Sequence, residues 1–269
     1  MTKKTNWSKI YLFFVFVLLY VPIFYLIFFS FNEGGTMNNF TGFTLEHYST
    51  VLQDNRLIQI VIQTLILALL SSLISTVIGT LGAIGIYYVK NFKTQEWLLN
   101  ANNILLVSPD VIIGSSFLLL FTIVGFQLGF VSVLLAHIAF SIPIVVLMVL
   151  PSLEELNPSM LKAAEDLGAN WYQTLGYVIL PNIIPGILAG FFMAFTYSLD
   201  DFAVTFFVTG NGFTTLAVEI YSRARRGVSL EINALSALLF ISSLLLVLGY
   251  YSLSTYSKRV KKVKRVVAE

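Results

Sequence analysis

The sequence predicts an all-α, polytopic membrane protein with six transmembrane helices. Three observations carry that expectation. Of 269 residues, 57% are hydrophobic and 11% charged, against about 25% charged in ordinary soluble domains. The apolar residues gather into runs of roughly 20, the length at which a helix crosses about 30 Å of hydrocarbon. The charges collect between the runs rather than within them. The whole of 1–269 reads as a single transmembrane domain, with an inner loop at about 151–182. There is no cysteine, which excludes disulfides, thiolate metal sites and cysteine nucleophiles.

The runs are 10–31, 58–89, 101–124, 130–150, 184–208 and 233–256. The first follows Lys3, Lys4 and Lys9 and ends in Phe28-Phe29-Ser30-Phe31. It is too long and too bulky at its end for a cleaved signal peptide, and reads as a retained helix. The second exceeds the bilayer thickness, so it should tilt or protrude. Its Ser71, Ser75, Gly79 and Ala83 recur every four residues, a spacing that lets two helix backbones approach closely. A neighbour within the chain and a partner subunit both fit that pattern. Pro109 breaks the hydrogen-bond ladder of the third run. A short turn through Gly125 and Gly129 joins the third and fourth as an antiparallel pair. His137 in the fourth reads as a neutral, hydrogen-bonded packing residue rather than a proton relay. The fifth holds Asp200 and Asp201 past its midpoint. After it, Arg223, Arg225 and Arg226 sit in a segment (209–232) that reads as a short helix lying on the protein. The basic tail Lys258–Arg265 reads as an anchor beside anionic lipid headgroups, not as a nucleic-acid patch.

Orientation follows from the basic residues, which cytoplasmic loops collect. With the N-terminus inside, 12 of the Lys and Arg residues fall on inner segments and 4 on outer ones. Both termini are therefore expected in the cytoplasm. Trp7, Tyr11, Tyr87, Tyr88, Trp97, Tyr250, Tyr251 and Tyr256 fall near predicted span ends, where aromatic belts form.

The loop between spans four and five is the sharpest feature outside the spans. Asn157 can cap a helix whose first turn holds Pro158. Met160, Ala164, Leu167 and Trp171 follow helical spacing and give one apolar face. Gly168 can take the left-handed conformation that ends a helix. Asn170 can cap a second short helix, and Pro181 and Pro185 are expected to close the segment before span five. Ala163 and Ala164 leave room for a partner surface. A helix lying on lipid is the alternative.

Asp110, Asp200 and Asp201 are placed within spans, where a carboxylate costs about 2.5–3.5 kcal/mol on insertion scales and so faces a cavity or a partner. No Lys or Arg lies within the spans except at their ends, so a path lined this way attracts cations. Tyr197, Phe195, Phe202, Phe206 and Phe207 lie close by in sequence, and aromatic faces can hold an ammonium group. The alternatives are carboxylates that pair with cations within an assembly or cap broken helix ends, and aromatics that serve as core. Neighbours on a helix point about 100° apart, so at most one of Asp200 and Asp201 faces a path fully.

The stretch Lys162-Ala163-Ala164-Glu165-Asp166-Leu167-Gly168, continued by Val178-Ile179-Leu180-Pro181, resembles the EAA loop of ABC-transporter permeases, with pattern E-A-A-x-x-x-G-x(9)-I-x-L-P. Ala163, Ala164, Gly168, Leu180 and Pro181 match in register. Val178 replaces the isoleucine, and Lys162 stands where glutamate is usual. The runs Tyr197-Ser198-Leu199-Asp200-Asp201-Phe202 and Phe207-Val208-Thr209-Gly210 are similar to a segment of spermidine/putrescine permeases. So are Ile220-Tyr221-Ser222, Gly227-Val228-Ser229 and Glu231-Ile232-Asn233-Ala234-Leu235, with Leu128-Gly129-Phe130 and Ala136-His137-Ile138.

The resemblance implies a type I ABC importer permease fold and a transport subunit of a polyamine importer in a bacterial inner or plasma membrane. It implies a second homologous permease, two copies of an ATP-binding subunit and an extracellular polyamine-binding protein as partners, besides membrane lipid. Under it, Asp110, Tyr197, Asp200, Asp201 and Phe202 would belong to the substrate pathway. Lys162, Ala163, Ala164, Asp166, Gly168, Leu180 and Pro181 would couple to the ATPase. The chain lacks a G-x-x-x-x-G-K-[ST] phosphate loop, so ATP and magnesium are expected on the partner and no cofactor on this chain. No nucleophile–base or metal set points to an enzyme. A permease for another solute and an ion-gradient-driven transporter remain alternatives.

Overall fold

The computed structural model describes residues 5–210, 212–227 and 229–245. They form helices α1 (Thr5–Phe29), α2 (Glu46–Gln53), α3 (Asn55–Tyr87), α4 (Phe92–Val107), α5 (Asp110–Val124), α6 (Phe130–Glu154), α7 (Pro158–Asp166), α8 (Trp171–Thr174), α9 (Leu180–Asp200), α10 (Ala203–Val208) and α11 (Leu216–Arg226). A last apolar helix, α12, covers Leu230–Leu245. The only extended pairing among the described residues is a single antiparallel bridge, Asn32 to Phe43. The chain divides into two compact units, 1–57 with 222–269, and 58–221.

Among the described residues, four helices are long and apolar enough to cross a membrane: Lys9–Phe29, Asn55–Tyr87, Phe130–Glu154 and Trp171–Asp200. The pair α4–α5 adds a fifth if counted as one span. The run 101–124 is broken at Pro109, as the sequence suggested. The two helices meet at a 100° bend, where Ser108 and Pro109 are extended. Pro109 has no amide hydrogen to continue the ladder and holds the residue before it out of the helical region. The sixth predicted run is represented by α12. Its remainder lies outside the described residues, as do Lys3, Lys4, Tyr250, Tyr251, Tyr256 and the basic tail Lys258–Arg265.

Span five departs from expectation at both ends. Pro181 and Pro185 do not close the preceding segment, because the helical path runs from Trp171 through a π-helical turn (Leu175–Ile179) into α9. Pro181 comes just after that π-helical turn, an irregularity of the kind found where a helix path holds a residue that cannot donate. The Asn182 side chain donates to the Val178 carbonyl at 2.6 Å. At the other end the helix stops at Asp200 and restarts at Ala203, so 184–208 is not one continuous helix.

In the unit 58–221, one core cluster joins Ala83, Ile84 and Ile86 of α3 to Val145, Val146, Val149 and Leu153 of α6 and Ile183 and Ala194 of α9. A second joins Leu67, Ile113, Phe121, Val133, Ala136, Phe140, Val204 and Val208. The small-residue stripe of α3 is settled by this packing. Ser71, Ser75, Gly79 and Ala83 are all buried within the chain. A Cβ on Gly79 would stand 2.6 Å from Cβ of Val145, so a larger residue there would push α3 off α6. The stripe is an intramolecular seam.

The unit containing 1–57 holds a compact turn around buried Asn32. Its side chain donates to the Thr36 and Asn39 carbonyls (2.7 and 2.9 Å) and accepts from the Thr41 amide (2.8 Å). Asp54 closes α2 and accepts from the Leu57 amide at the start of α3 (3.0 Å) and from Arg223 (3.2 Å). Arg223 belongs to α11, the short helix expected between spans five and six, and also approaches Glu231 at 3.6 Å.

Candidate functional site: a broken span and an exposed loop

The break after Asp200 creates the first region of interest. A restarting helix leaves amide hydrogens without intrahelical acceptors. Asp201 supplies them, accepting from the amides of Val204 (3.3 Å) and Thr205 (2.8 Å) and from the Thr205 hydroxyl (2.7 Å). Aspartate favours such caps over helix interiors because its short carboxylate reaches local backbone donors. The break therefore needs neither proline nor glycine. Asp201 is buried and Asp200 exposed.

Around Asp201 lies a wholly buried polar chain. His137 of α6 places Nδ1 2.7 Å from the Ser198 hydroxyl and Nε2 2.8 Å from the Thr205 hydroxyl. Its Nε2 is 3.5 Å from Asp201. Ser198 lies 2.9 Å from the Ser71 hydroxyl of α3. Buried polar groups left unsatisfied are costly, and here each finds a partner. His137 is thus the hydrogen-bonded packing residue that the sequence suggested, joining α9 and α10 to α6 at its ring, with α3 linked through Ser198.

Beside this network one pair of the predicted pathway residues, Asp110 and Tyr197, comes together. The Tyr197 hydroxyl donates to the Asp110 carboxylate at 2.9 Å. Tyr197 packs edge-on against Phe140, centroids 5.0 Å apart, and Phe140 in turn lies 4.8 Å from His137. Asp110 opens α5 immediately after the bend. Phe202 faces Tyr221 at 4.3 Å and Phe206 at 5.5 Å, so its ring is engaged within an aromatic cluster. Asp110, Tyr197 and Asp200 keep exposed surface; Asp201 faces inward. Sequence reasoning missed the hydroxyl partners Ser71, Ser198 and Thr205. Ser198, Asp201 and Thr205 are spaced three and four apart, a helical face that hints at a shared direction. Among the described residues no group of three or more His, Asp and Glu side chains could hold a metal ion.

The second region is the loop from Asn157 to Pro181. The Asn157 side chain accepts from the Ser159 amide (3.0 Å), and Pro158 fills the first turn of α7. The helix ends at Gly168, φ 76°. The Gly168 amide bonds the Glu165 carbonyl at 2.9 Å and the Ala169 amide bonds Ala164 at 3.0 Å, the paired closure of a Schellman cap. Asn170 and Gln173 form a reciprocal capping box at 2.8 and 2.9 Å.

Trp171 meets Tyr88, just past the end of α3, with ring centroids 4.9 Å apart. The loop seats on the first core cluster through Leu161, Leu175, Ile179 and Leu180. Ala164 is buried within the chain and Ala163 is exposed. Of the two alanines only Ala163 therefore leaves room for a partner. The apolar face is also divided: Ala164 turns in, while Met160 and Leu167 turn out, Leu167 with 87% of its surface exposed. Tyr172 and Tyr177 are exposed by 82% and 81%. Lys162, Asp166, Gly168 and Pro181 are exposed as well.

A bundle of long apolar helices, one span bent at a proline, another interrupted by a buried carboxylate, and a capped polar loop define a multi-pass membrane protein. Its fold is that of type I ABC importer permeases. One chain of a bacterial ABC transporter involved in the import of the acidic polysaccharide alginate superposes with a TM-score of 0.74 over 93% of this chain and 94% of that one, at 16% identity. Residues 75–262 match the family of binding-protein-dependent transport system inner membrane components. The chain belongs to that family: it is the membrane component of a transport system, not an enzyme. It is 37% identical over 235 residues to the spermidine/putrescine transport system permease protein PotC of Escherichia coli (strain K12), covering 87% of this chain and 89% of the relative. It is 32% identical over 242 residues to the putrescine transport system permease protein PotI of the same organism, covering 88% and 86%.

Proposed function

We propose that this chain is a permease subunit of an ATP-driven importer for polyamines. The observation that carries the reading is its similarity, over nearly the whole chain, to permeases of spermidine and putrescine systems. The chemistry agrees with it. Putrescine and spermidine are flexible polycations. Asp110 with its Tyr197 partner, together with Asp200, offers exposed negative charge and an aromatic face near the break. Asp201 supports that path from behind as the cap of α10, and Phe202 through its aromatic cluster.

In this reading the chain crosses the membrane six times with both termini in the cytoplasm, beside a second homologous permease. Two ATP-binding subunits, which hold ATP and magnesium, dock on the loop at 151–182. Lys162, Ala163, Asp166 and Gly168 lie on its outward surface, and Ala164, Leu180 and Pro181 join it to the bundle. An extracellular polyamine-binding protein delivers the cargo. Closure of the ATP-binding subunits moves the loop, and the loop moves α9, to which it is joined without interruption. This opens the path outward, and hydrolysis resets it inward.

The test is uptake of labelled putrescine and spermidine by the assembled complex in vesicles. Uptake should require ATP and the binding protein, and Asp110→Asn with Asp200→Asn should cut it at least about tenfold, the loss of two charged contacts, while leaving assembly unchanged. Uptake that persists without ATP but with an ion gradient would identify a secondary transporter. Undiminished uptake in the double variant would remove the proposed path.

A further inference from the structure

The unused group in the transport reading is His137. Its ring is completely buried, and an apolar side chain would fill the same space without polar atoms to satisfy. What the imidazole adds is reach in two directions. Nδ1 meets Ser198 on α9 before the break, and Nε2 meets Thr205 on α10 after it. No backbone hydrogen bond spans the extended residue between those helices in the regular pattern.

Thr205 donates its one hydroxyl hydrogen to Asp201, so at His137 it must accept, and Nε2 carries the proton. Nδ1 meets the Ser198 hydroxyl, which in turn meets the hydroxyl of Ser71, itself a donor to the Ala68 carbonyl at 3.1 Å. The polar contacts run unbroken from α3 through α9 and α6 to the carboxylate. Asp201 is the charged group nearest the imidazole, at 3.5 Å. The next one along the packed rings is Asp110, reached through Phe140 and Tyr197. On the α3 side the ring's contacts lead to the hydroxyl of Ser71.

We propose that His137 is a positioning residue for transport: it clamps both halves of the broken span to α6 and so fixes where Asp200 and the Asp110–Tyr197 pair stand. The transport role rests on the permease reading above, whereas the clamp itself does not.

The experiment compares His137→Gln, whose amide can keep donor and acceptor, with His137→Phe, which keeps only bulk. Two readouts are taken on the full chain in its complex. Amide hydrogen exchange across 203–208 should quicken by about tenfold or more in His137→Phe, and by much less in His137→Gln. Uptake should fall about tenfold in Vmax in His137→Phe, with recovery to within about threefold in His137→Gln.

Unchanged exchange in His137→Phe overturns the clamp, whatever the cargo is. Faster exchange with unaltered Vmax overturns the positioning role. Equal losses in the Gln and Phe variants reduce His137 to a packing residue and also overturn it. If the wild-type complex imports no polyamine, the cargo reading fails separately, and the clamp is judged on exchange and on ATP hydrolysis stimulated by the binding protein. Should the Phe variant fail to fold, His137→Leu, which likewise removes both ring nitrogens and leaves the Asp201–Thr205 contact in place, carries the same exchange test.

Discussion

The break at Asp201 and the loop at 157–181 invert the usual partition of side chains in opposite senses. At the break, a carboxylate, an imidazole and three hydroxyls are hidden and mutually satisfied. On the loop, Leu167, Tyr172 and Tyr177 are held out from the bundle by a rigid, doubly capped scaffold. A satisfied buried network specifies one arrangement, because any rearrangement strands a polar group in low dielectric. A protruding apolar surface on a fixed scaffold gains stability only when something covers it. One region is complete as it stands and the other, on the function proposed above, is covered by a partner, so mutations should separate them: damage at the break acts on this chain's own stability, and damage on the loop acts on assembly.

The sharpest test of that contrast is Asp201→Ala. It leaves the Val204 and Thr205 donors buried without an acceptor, which should cost about 2–4 kcal/mol. A lower unfolding midpoint of the purified chain in detergent would register it, and an unchanged midpoint would show the network to be dispensable. Leu167→Asp should do the reverse. The isolated chain should keep its stability to within about 0.5 kcal/mol, as exposed positions do. Copurification with the ATP-binding subunit should fall about tenfold, the loss of one apolar anchor. A destabilised chain with normal copurification would erase the distinction.

A smaller effect is expected from Tyr197→Phe, which removes the hydrogen bond to Asp110 but keeps the ring against Phe140. Uptake should drop only about threefold to tenfold, read most clearly as a change in half-saturating substrate concentration. Smallest of all should be the response of the surface pair Asp54–Arg223, which belongs to neither region. The Leu57 amide that bonds Asp54 holds its carboxyl below the usual carboxylate range; partial burial opposes this, and Arg223 assists it. A depressed folded-state value means the contact contributes above the ordinary carboxylate pKa and is lost as pH falls through the depressed one. Acid titration of unfolding should lose a small increment below about pH 4, and Asp54→Asn should abolish that increment.

The loop was largely legible because its determinants are local. Asn157, Pro158, Gly168 and Asn170 act on backbone groups within five residues of themselves, so their types and spacing suffice to place both helix starts and the intervening stop. What remained hidden was which way the apolar residues face. Helical spacing aligned Ala164 with Leu167, yet the seating of Leu161 and Leu175 on the core turns one inward and the other outward. The break shows the opposite balance. Nothing in Leu199-Asp200-Asp201-Phe202 is an obligatory helix breaker, so the pattern read as one span. The reason for stopping is a carboxylate whose burial becomes tolerable only once His137, 64 positions earlier, and Thr205 surround it.

By itself, the sequence determined the solvent and the elements. Runs of apolar residues of bilayer length leave a chain little choice but membrane helices, since a backbone without water must bond within its own helix. The caps and the glycine stop of the loop were likewise fixed by neighbours in the chain. Tertiary structure alone decided which of two adjacent aspartates is buried, that Tyr197 answers Asp110 across 87 residues, and that the α3 stripe is an internal seam closed by Ser71 and Ser198 across 127. Those outcomes depend on distances between helices. Such distances come from the packing of whole faces against one another, which no local stretch of sequence encodes.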